Sequence, residues 1–475
     1  GMSAIKFTDP TDSAEGAVVD TTSSDAEWYS YEDKKWANAK TEDGSMWVWI
    51  PRYAYRIHKE NGVETQKFDI VFLVGLTDNY YDENGKLQTA QRQTSENQTI
   101  VTNGDTYTVH PAFTNESSIN YTNGGWNEEL AGIWVAKFEA GYASGNNSAT
   151  VKASSVNYSQ DTAYVPAVET GTTTKTATAR NWLDGEYGST TTAIKYPTFQ
   201  GLTYSMNYIN HNDAYRISKV LTESGNIYGL NSSSTDSHLM KNSEWGAVSY
   251  LSQSKYGLDG TNIVINSVYL NNTTKSVYAV TGCAASTADA SAVSTTIGAL
   301  NNRTQSGVYV WTQKNGTAAS STGTIYGIYD MSGGTWERTA GLVNNGNSNL
   351  TTYGSQIMAD LNNGGSTKYI TVYPHDSSKD NTSISNTDAN INTASQANYV
   401  KNTKIYGDGI RETSTAGTGT TSWYSDYSYF AGLNNPFFKR GGNYGNTSGA
   451  GLFYFNRNNG NSNYNNGFRS VLVSL

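Results

Sequence analysis

Arg440-Gly441-Gly442-Asn443-Tyr444 and Gly467-Phe468-Arg469 bracket a run of Asn, Gly, Ser and Tyr near the end of this 475-residue chain. Between the two brackets, residues 445–466 hold no acid and no lysine. Such a run has too little apolar side chain to bury a core of its own. It closes on Gly467-Phe468-Arg469-Ser470-Val471-Leu472-Val473, whose alternation predicts a terminal strand. The pattern predicts a displayed polar-aromatic surface, pinned at both ends into a folded core. The functional question is whether that surface binds something or performs chemistry.

The length allows two or three average domains, or one large domain with long insertions. Charged residues make up 15% and apolar residues 36%, with 35 Tyr and 46 Gly. Aromatics in that number exclude a disordered chain and point to a loop-rich, β-leaning globular protein. The net charge of −9, with no basic stripe, argues against a nucleic-acid partner; solubility accounts for it. The single cysteine, Cys283, excludes an internal disulfide and a multi-cysteine zinc site. It lies in Thr281-Gly282-Cys283-Ala284 with no histidine nearby in sequence, and reads as structural rather than reactive. No apolar run reaches membrane-spanning length, and there is no signal peptide. The Gly1-Met2 opening reads as the remnant of a removed tag, with a targeting segment expected to be absent from this fragment.

Residues 1–44 are acidic and poor in pattern, and are expected to form a linker. Met46 to Ile57 alternates aromatic and β-branched residues as a strand, with Pro51 at an edge or bulge. Phe68 to Val74 predicts a second strand and Gly132 to Gly141 a third, with Trp134, Ala136 and Phe138 on one face. Asp82-Glu83-Asn84-Gly85 lacks the ligand spacing of a calcium loop and reads as a hairpin turn. Helices are predicted over Thr203 to Tyr215 and Lys241 to Leu251, the second capped by Asn242 or Ser243. Residues 143–180, 258–322 and 340–420 lose periodicity and are expected to be surface insertions, with a short strand at Val308 to Trp311.

Several segments in order resemble the formylglycine-generating enzyme/sulfatase-modifying-factor family. Gly132 to Glu139 is similar to its early strand, and Lys241-Asn242-Ser243-Glu244-Trp245 stands where the family has "LPTEAEWEYA". Tyr326-Gly327-Ile328-Tyr329-Asp330-Met331-Ser332-Gly333-Gly334-Thr335-Trp336-Glu337 is close to "NxxGLYDMxGNVWEW". Arg440-Gly441-Gly442 matches the start of "RGGSW", and Gly467-Phe468-Arg469 matches the closing "GFR". The resemblance covers residues 45–475 and implies an α+β, C-type lectin-like domain: short antiparallel sheets, two helices and long insertions. Within it, Trp245 and Trp336 would anchor loops. Gly441 and Gly442 would permit backbone that a Cβ forbids. Arg440 and Arg469 would tie loop carbonyls or a carboxylate such as Glu337, and Gly467 and Phe468 complete the framework.

The family's enzymes carry a cysteine pair shortly after "RGG", where this chain has Asn446, Thr447 and Ser448. Its iron-dependent branch needs a histidine cluster, whereas His58, His110, His211, His238 and His375 are scattered and none is in the terminal segment. No nucleophile elbow, phosphate loop or HExxH motif is present. No catalysis, cofactor or metal is therefore expected. The chain is most similar to the variable proteins of diversity-generating retroelements, from phage and bacteria, in which Asn codons of a C-terminal segment are randomised. Such codons yield Tyr, Ser, Thr, Asp and others but never Lys, Glu, Gln, Met or Trp, and residues 443–466 contain none of those five.

The resulting expectation is a non-catalytic display protein on a cell surface or phage tail, whose segment 440–469 binds a protein or glycan ligand. The binding residues would be Asn443, Tyr444, Asn446, Thr447, Ser448, Tyr454, Asn456, Asn458, Asn459, Asn461, Asn463, Tyr464 and Asn465. Tyr offers large contact area with few rotors, and Asn offers both donor and acceptor. A carbohydrate-binding or adhesive module without diversification is the alternative, since Tyr and Trp stack on sugars. A formylglycine-generating-type oxidase comes third.

Overall fold

The terminal strand lies inside the largest sheet, where its alternation serves two cores at once. Ser470–Ser474 pairs antiparallel with Thr235–Leu239 on one side and Gly132–Ala136 on the other. The sheet continues through Met46–Pro51, Asn38–Lys40, Ser3–Phe7 and Val18–Asp20, seven antiparallel strands in all. Side chains alternate across a strand. Val471 and Val473 therefore join Ile133, Val135, Val48 and Ile50 in one apolar cluster. Leu472, Trp47 and Ala136 face a second cluster. Helix α1 (His211–Lys219) covers the second face with Ala214, Tyr215 and Ile217. Helix α2 (Asn242–Ser252) covers the first with Trp245, Val248 and Leu251. A sheet buried on both faces explains why the run Val471 to Val473 is apolar throughout.

This computed structural model describes residues 1–94, 98–102, 104–115, 124–142, 196–201, 203–206, 209–266, 269–271, 274, 275, 279–283, 309–362, 368–374, 405–415, 417–432, 434–443, 445–463 and 465–475. The chain is mixed α+β, with mostly antiparallel sheets and few helices. A second seven-stranded sheet runs Thr371–Pro374, Trp336–Asn344, Phe437–Arg440, Phe455–Asn458, Ser428–Tyr429, Thr418–Gly419, with Asn466–Phe468 also paired to Trp336–Asn344. A five-stranded sheet is built on Val63–Phe72 and Tyr53–Glu60. The turn expected at Asp82 to Gly85 joins the hairpin strands Asn79–Tyr81 and Leu87–Thr89.

The structure corrects several expectations. Residues 1–44 are no linker: they supply three strands of the main sheet, and Ile5 and Phe7 are buried against Trp311 and Tyr326. Low pattern there reflects very short strands. The strand expected over Met46 to Ile57 is two, separated at Arg52, whose buried guanidinium pairs with Glu129 at 2.7 Å and Asp78 at 3.1 Å. The first predicted helix starts late. Thr203–Ser205 is a strand paired with Gly141–Tyr142, and the helix begins after Asn210, whose side chain accepts from Asp213 N at 2.8 Å. In α2 the cap is Lys241, and the Glu244 carboxylate accepts its backbone N–H at 2.9 Å. A third helix, α3 (Ser348–Asn362), broken at Gly354, lies in the region expected to be a surface insertion. It packs on α1 through Leu350 and Ile357. The insertion expected over 143–180 lies outside the described residues.

Candidate ligand-binding surface

Strand Trp336–Asn344 organises the C-terminal region, because both brackets of the Asn-rich run pair with it. Glu337 lies opposite Arg440 across an antiparallel ladder and beside Gly467 across a parallel one. Arg338 lies opposite Lys439, which lies opposite Asn456 on the next strand. Alternation then sends Glu337 and Arg440 to one face, and Trp336, Arg338, Lys439 and Asn456 to the other.

The first face is a buried polar frame. Arg469 interrupts the terminal strand, and its guanidinium grips the Glu337 carboxylate twice, at 2.9 and 2.6 Å. It also donates to Ala136 O at 2.6 Å and Tyr329 O at 2.7 Å. Burial pushes the Glu337 pKa up, and Arg469 opposes that shift. Arg440 uses its fork on backbone, donating to Tyr454 O, Asp408 O and Gly409 O at 2.9, 2.7 and 2.9 Å. The Arg469 contacts join chain segments more than a hundred residues apart, and those of Arg440 tie nearer segments together, which a rigid planar fork does at little entropic cost. Trp245 is fully buried and donates its indole N–H to Leu452 O at 2.7 Å. Gly441 and Gly442 have φ of +82° and +77°, and a Cβ on Gly442 would lie 2.5 Å from that of Ala450. Gly467 and Phe468 are buried in the parallel pairing.

The other face carries Asn456 and Asn458 of the run, and Arg338 there bonds Asn461 O. Ser448 is exposed, and Asn446, Thr447, Asn456, Asn458, Asn459, Asn461 and Asn463 are half-buried. Three expected surface residues are not on the surface: Asn443, Tyr454 and Asn465 are buried. Tyr454, 1% exposed, belongs to Leu452-Phe453-Tyr454-Phe455, four consecutive residues that dive into the core. Its hydroxyl accepts from Asn456 Nδ2 at 2.7 Å. Asn443 folds its own loop, accepting Gly445 N–H at 3.1 Å and donating its backbone N–H to Asn446 Oδ1 at 2.8 Å. Asn465 gives its carbonyl to Trp336 N–H at 2.8 Å, where the parallel pairing starts. Tyr444 and Tyr464 lie outside the described residues.

The asparagines thus do double work. Asn458 Oδ1 accepts from Gly460 N at 2.7 Å and from Arg338 at 2.8 Å, and Asn459 Oδ1 accepts from Asn461 N at 3.2 Å. Side-chain amides replacing backbone partners are how the Asn-rich stretches flanking the buried residues 452–455 hold a conformation.

Trp336, expected to anchor loops, is part-exposed, and Lys439 Nζ stands 3.0 Å from its ring centroid. Lys439 was not singled out from sequence, although it precedes the inward Arg440 and must therefore point the opposite way. Arg457 lies over the Tyr429 ring at 3.9 Å. From Tyr427 to the C-terminus the chain holds Lys439, Arg440, Arg457 and Arg469 and no acid.

Beneath the frame, Glu139 and Asp330 form a buried carboxyl pair. Glu139 accepts from Thr335 N and Oγ1 at 2.8 and 2.7 Å and from Ser205 Oγ, while Asp330 accepts from Thr281 Oγ1 at 2.6 Å. Burial, with the charges of Asp330 and Glu337, pushes the Glu139 pKa up to about 8. His110, His211 and His238 are buried in different packing environments, and His58 pairs with Asp69 at 2.7 Å. Among the described residues no three His, Cys, Asp or Glu side chains gather as a metal site. No helix among them is long and apolar enough to cross a membrane. No family model and no curated protein matches the chain.

Proposed function

We propose that this chain is a non-catalytic ligand-binding protein of the C-type lectin-like, formylglycine-generating-enzyme-like type, displaying a diversified C-terminal segment to a protein on another surface. The carrying observation is the division within residues 440–469. Arg440 and Arg469 are buried in multidentate bonds, while nine Asn, Ser and Thr positions between them are exposed or half-buried on two loops and a strand. A surface of this kind can change residue by residue without disturbing the frame below. The exposed positions span two loops and one strand, the breadth of a macromolecular patch; a standard protein interface buries roughly 800 Å² per partner. Display outside a cell or on a phage tail follows from that role.

Sequencing sibling copies of the gene, or a template copy of the segment beside a reverse transcriptase gene, tests the diversification. Differences should concentrate at Asn-type codons between 443 and 466, sparing Arg440, Gly441, Gly442, Gly467, Phe468 and Arg469. Differences scattered evenly along the chain would refute it.

A further inference from the structure

Lys439 is an unusual lysine. It is 6% exposed and sits in the strand Phe437–Arg440, and its ammonium makes no hydrogen bond or ion pair among the described residues. Its one polar engagement is the Trp336 ring face. A buried ammonium normally takes a carboxylate or several carbonyls. Lys137, fully buried, does so, donating to Asn38 Oδ1, Ile325 O and Gly327 O at 3.1, 2.7 and 2.8 Å. Across the ladder from Lys439 lies Arg338, a second cation, which among the described residues hydrogen-bonds the neutral oxygens of Ile209, Asn458 and Asn461 and feels the charge of Asp213. On Lys439's other side lies Asn456, half-buried like Trp336. The ammonium therefore lies at the foot of a part-open polar-aromatic patch, in a segment without acids, in a protein of net charge −9.

Resting on the display reading above, we propose that Lys439, held on Trp336, is the anchor for a carboxylate of an acidic protein ligand, an Asp or Glu side chain entering beside Asn456. One compact cation with a neighbouring amide suits a carboxylate, which the ammonium can pair with while Asn456 hydrogen-bonds it. Arg338 adds attraction without needing to move. Burial, reinforced by Arg338, holds the Lys439 pKa well below its ordinary value, a penalty that an arriving carboxylate relieves. A neutral sugar fits less well, because the indole face on which it would stack already carries the ammonium.

The test is selection from a random peptide library on the full chain, followed by affinity measurement of the enriched peptides. Peptides with a shared Asp or Glu should emerge. Changing that residue to Asn or Gln should weaken binding to the wild-type chain by at least roughly 30-fold, the low end for losing one partner of a desolvated charge pair. K439M should show the same loss, and in it the Asp→Asn or Glu→Gln change should have no further effect. The peptide substitutions probe the wild-type protein, so the result stands even where K439M fails to fold. Peptides that bind through residues 446–463 without an acid, or tolerate the amide within threefold, overturn the carboxylate anchor and leave the display reading standing. Capture of carboxylated sugars in place of peptides overturns the protein partner. Peptides whose binding survives joint replacement of Thr447, Ser448 and Asn461, or no enrichment at all, overturn both.

Discussion

Replacing Arg469 by Met would remove the bond network that locks the end of the chain to its middle. The wild-type guanidinium makes two bonds to Glu337 and one each to Ala136 O and Tyr329 O, all fully buried. Met fills similar volume, so the cost is electrostatic rather than a cavity. Breaking a buried pair by deleting one partner costs about 3–5 kcal/mol, because the surviving charge stays desolvated. Two orphaned carbonyls add to that, and protonation of Glu337 limits the total. R469M should therefore lose about 4 kcal/mol. R469M/E337Q should regain roughly half, since an uncharged amide replaces the stranded carboxylate, and the two effects should be strongly non-additive. Urea unfolding followed by tryptophan fluorescence reads this as a fall in midpoint at unchanged slope. A loss under about 1 kcal/mol for R469M, or a double variant no better than the single, would refute the assignment of Arg469 as the lock.

Two further outcomes follow from the same geometry. Glu139 is pushed up to about 8 in the folded chain against an ordinary value of 4.5, so its contribution is complete below about 4.5 and is lost as pH rises through 8. Stability should fall by roughly 1.4 kcal/mol per pH unit across that window from this group, and E139Q should flatten thermal unfolding measured against pH; a profile identical to wild type would contradict it. Tyr454→Ala should cost about 3–5 kcal/mol as a core truncation, while Ser448→Ala should stay within about 0.5 kcal/mol; chemical denaturation of the two variants checks both.

The frame was legible because it rests on residues with few substitutes. Two arginines within two residues of glycines, and tryptophans at fixed offsets, announce buried forks and tight backbone, and the structure finds Arg440, Arg469, Gly442 and Trp245 in such places. The strands at Gly132 and Ser470 were legible from alternation. What composition hid were contributions from very short strands: residues 1–44 looked like a linker because three to five residues per strand leave no period to read. Asparagine was the other blind spot. The same side chain can face solvent or replace a backbone partner, so Asn443 and Asn458 read as display residues while they also hold their loops. Tyr454 was misread for a different reason: its type suits a binding surface, but its neighbours Phe453 and Phe455 required burial. Lys439 was missed because a lysine beside an arginine reads as surface charge until the strand register separates their faces.

The division between frame and display can be measured at once by substituting every position from 436 to 470 and scoring each variant for folded, protease-resistant protein. The expected result is tolerance at Thr447, Ser448, Asn461 and Asn463, with Asn446 and Asn459, whose amides close their loops, intermediate. Arg440, Gly441, Gly442, Tyr454, Gly467, Phe468 and Arg469 should each accept almost nothing. If the Asn-rich positions prove as intolerant as the frame, residues 443–466 are a structural element and the display account is wrong.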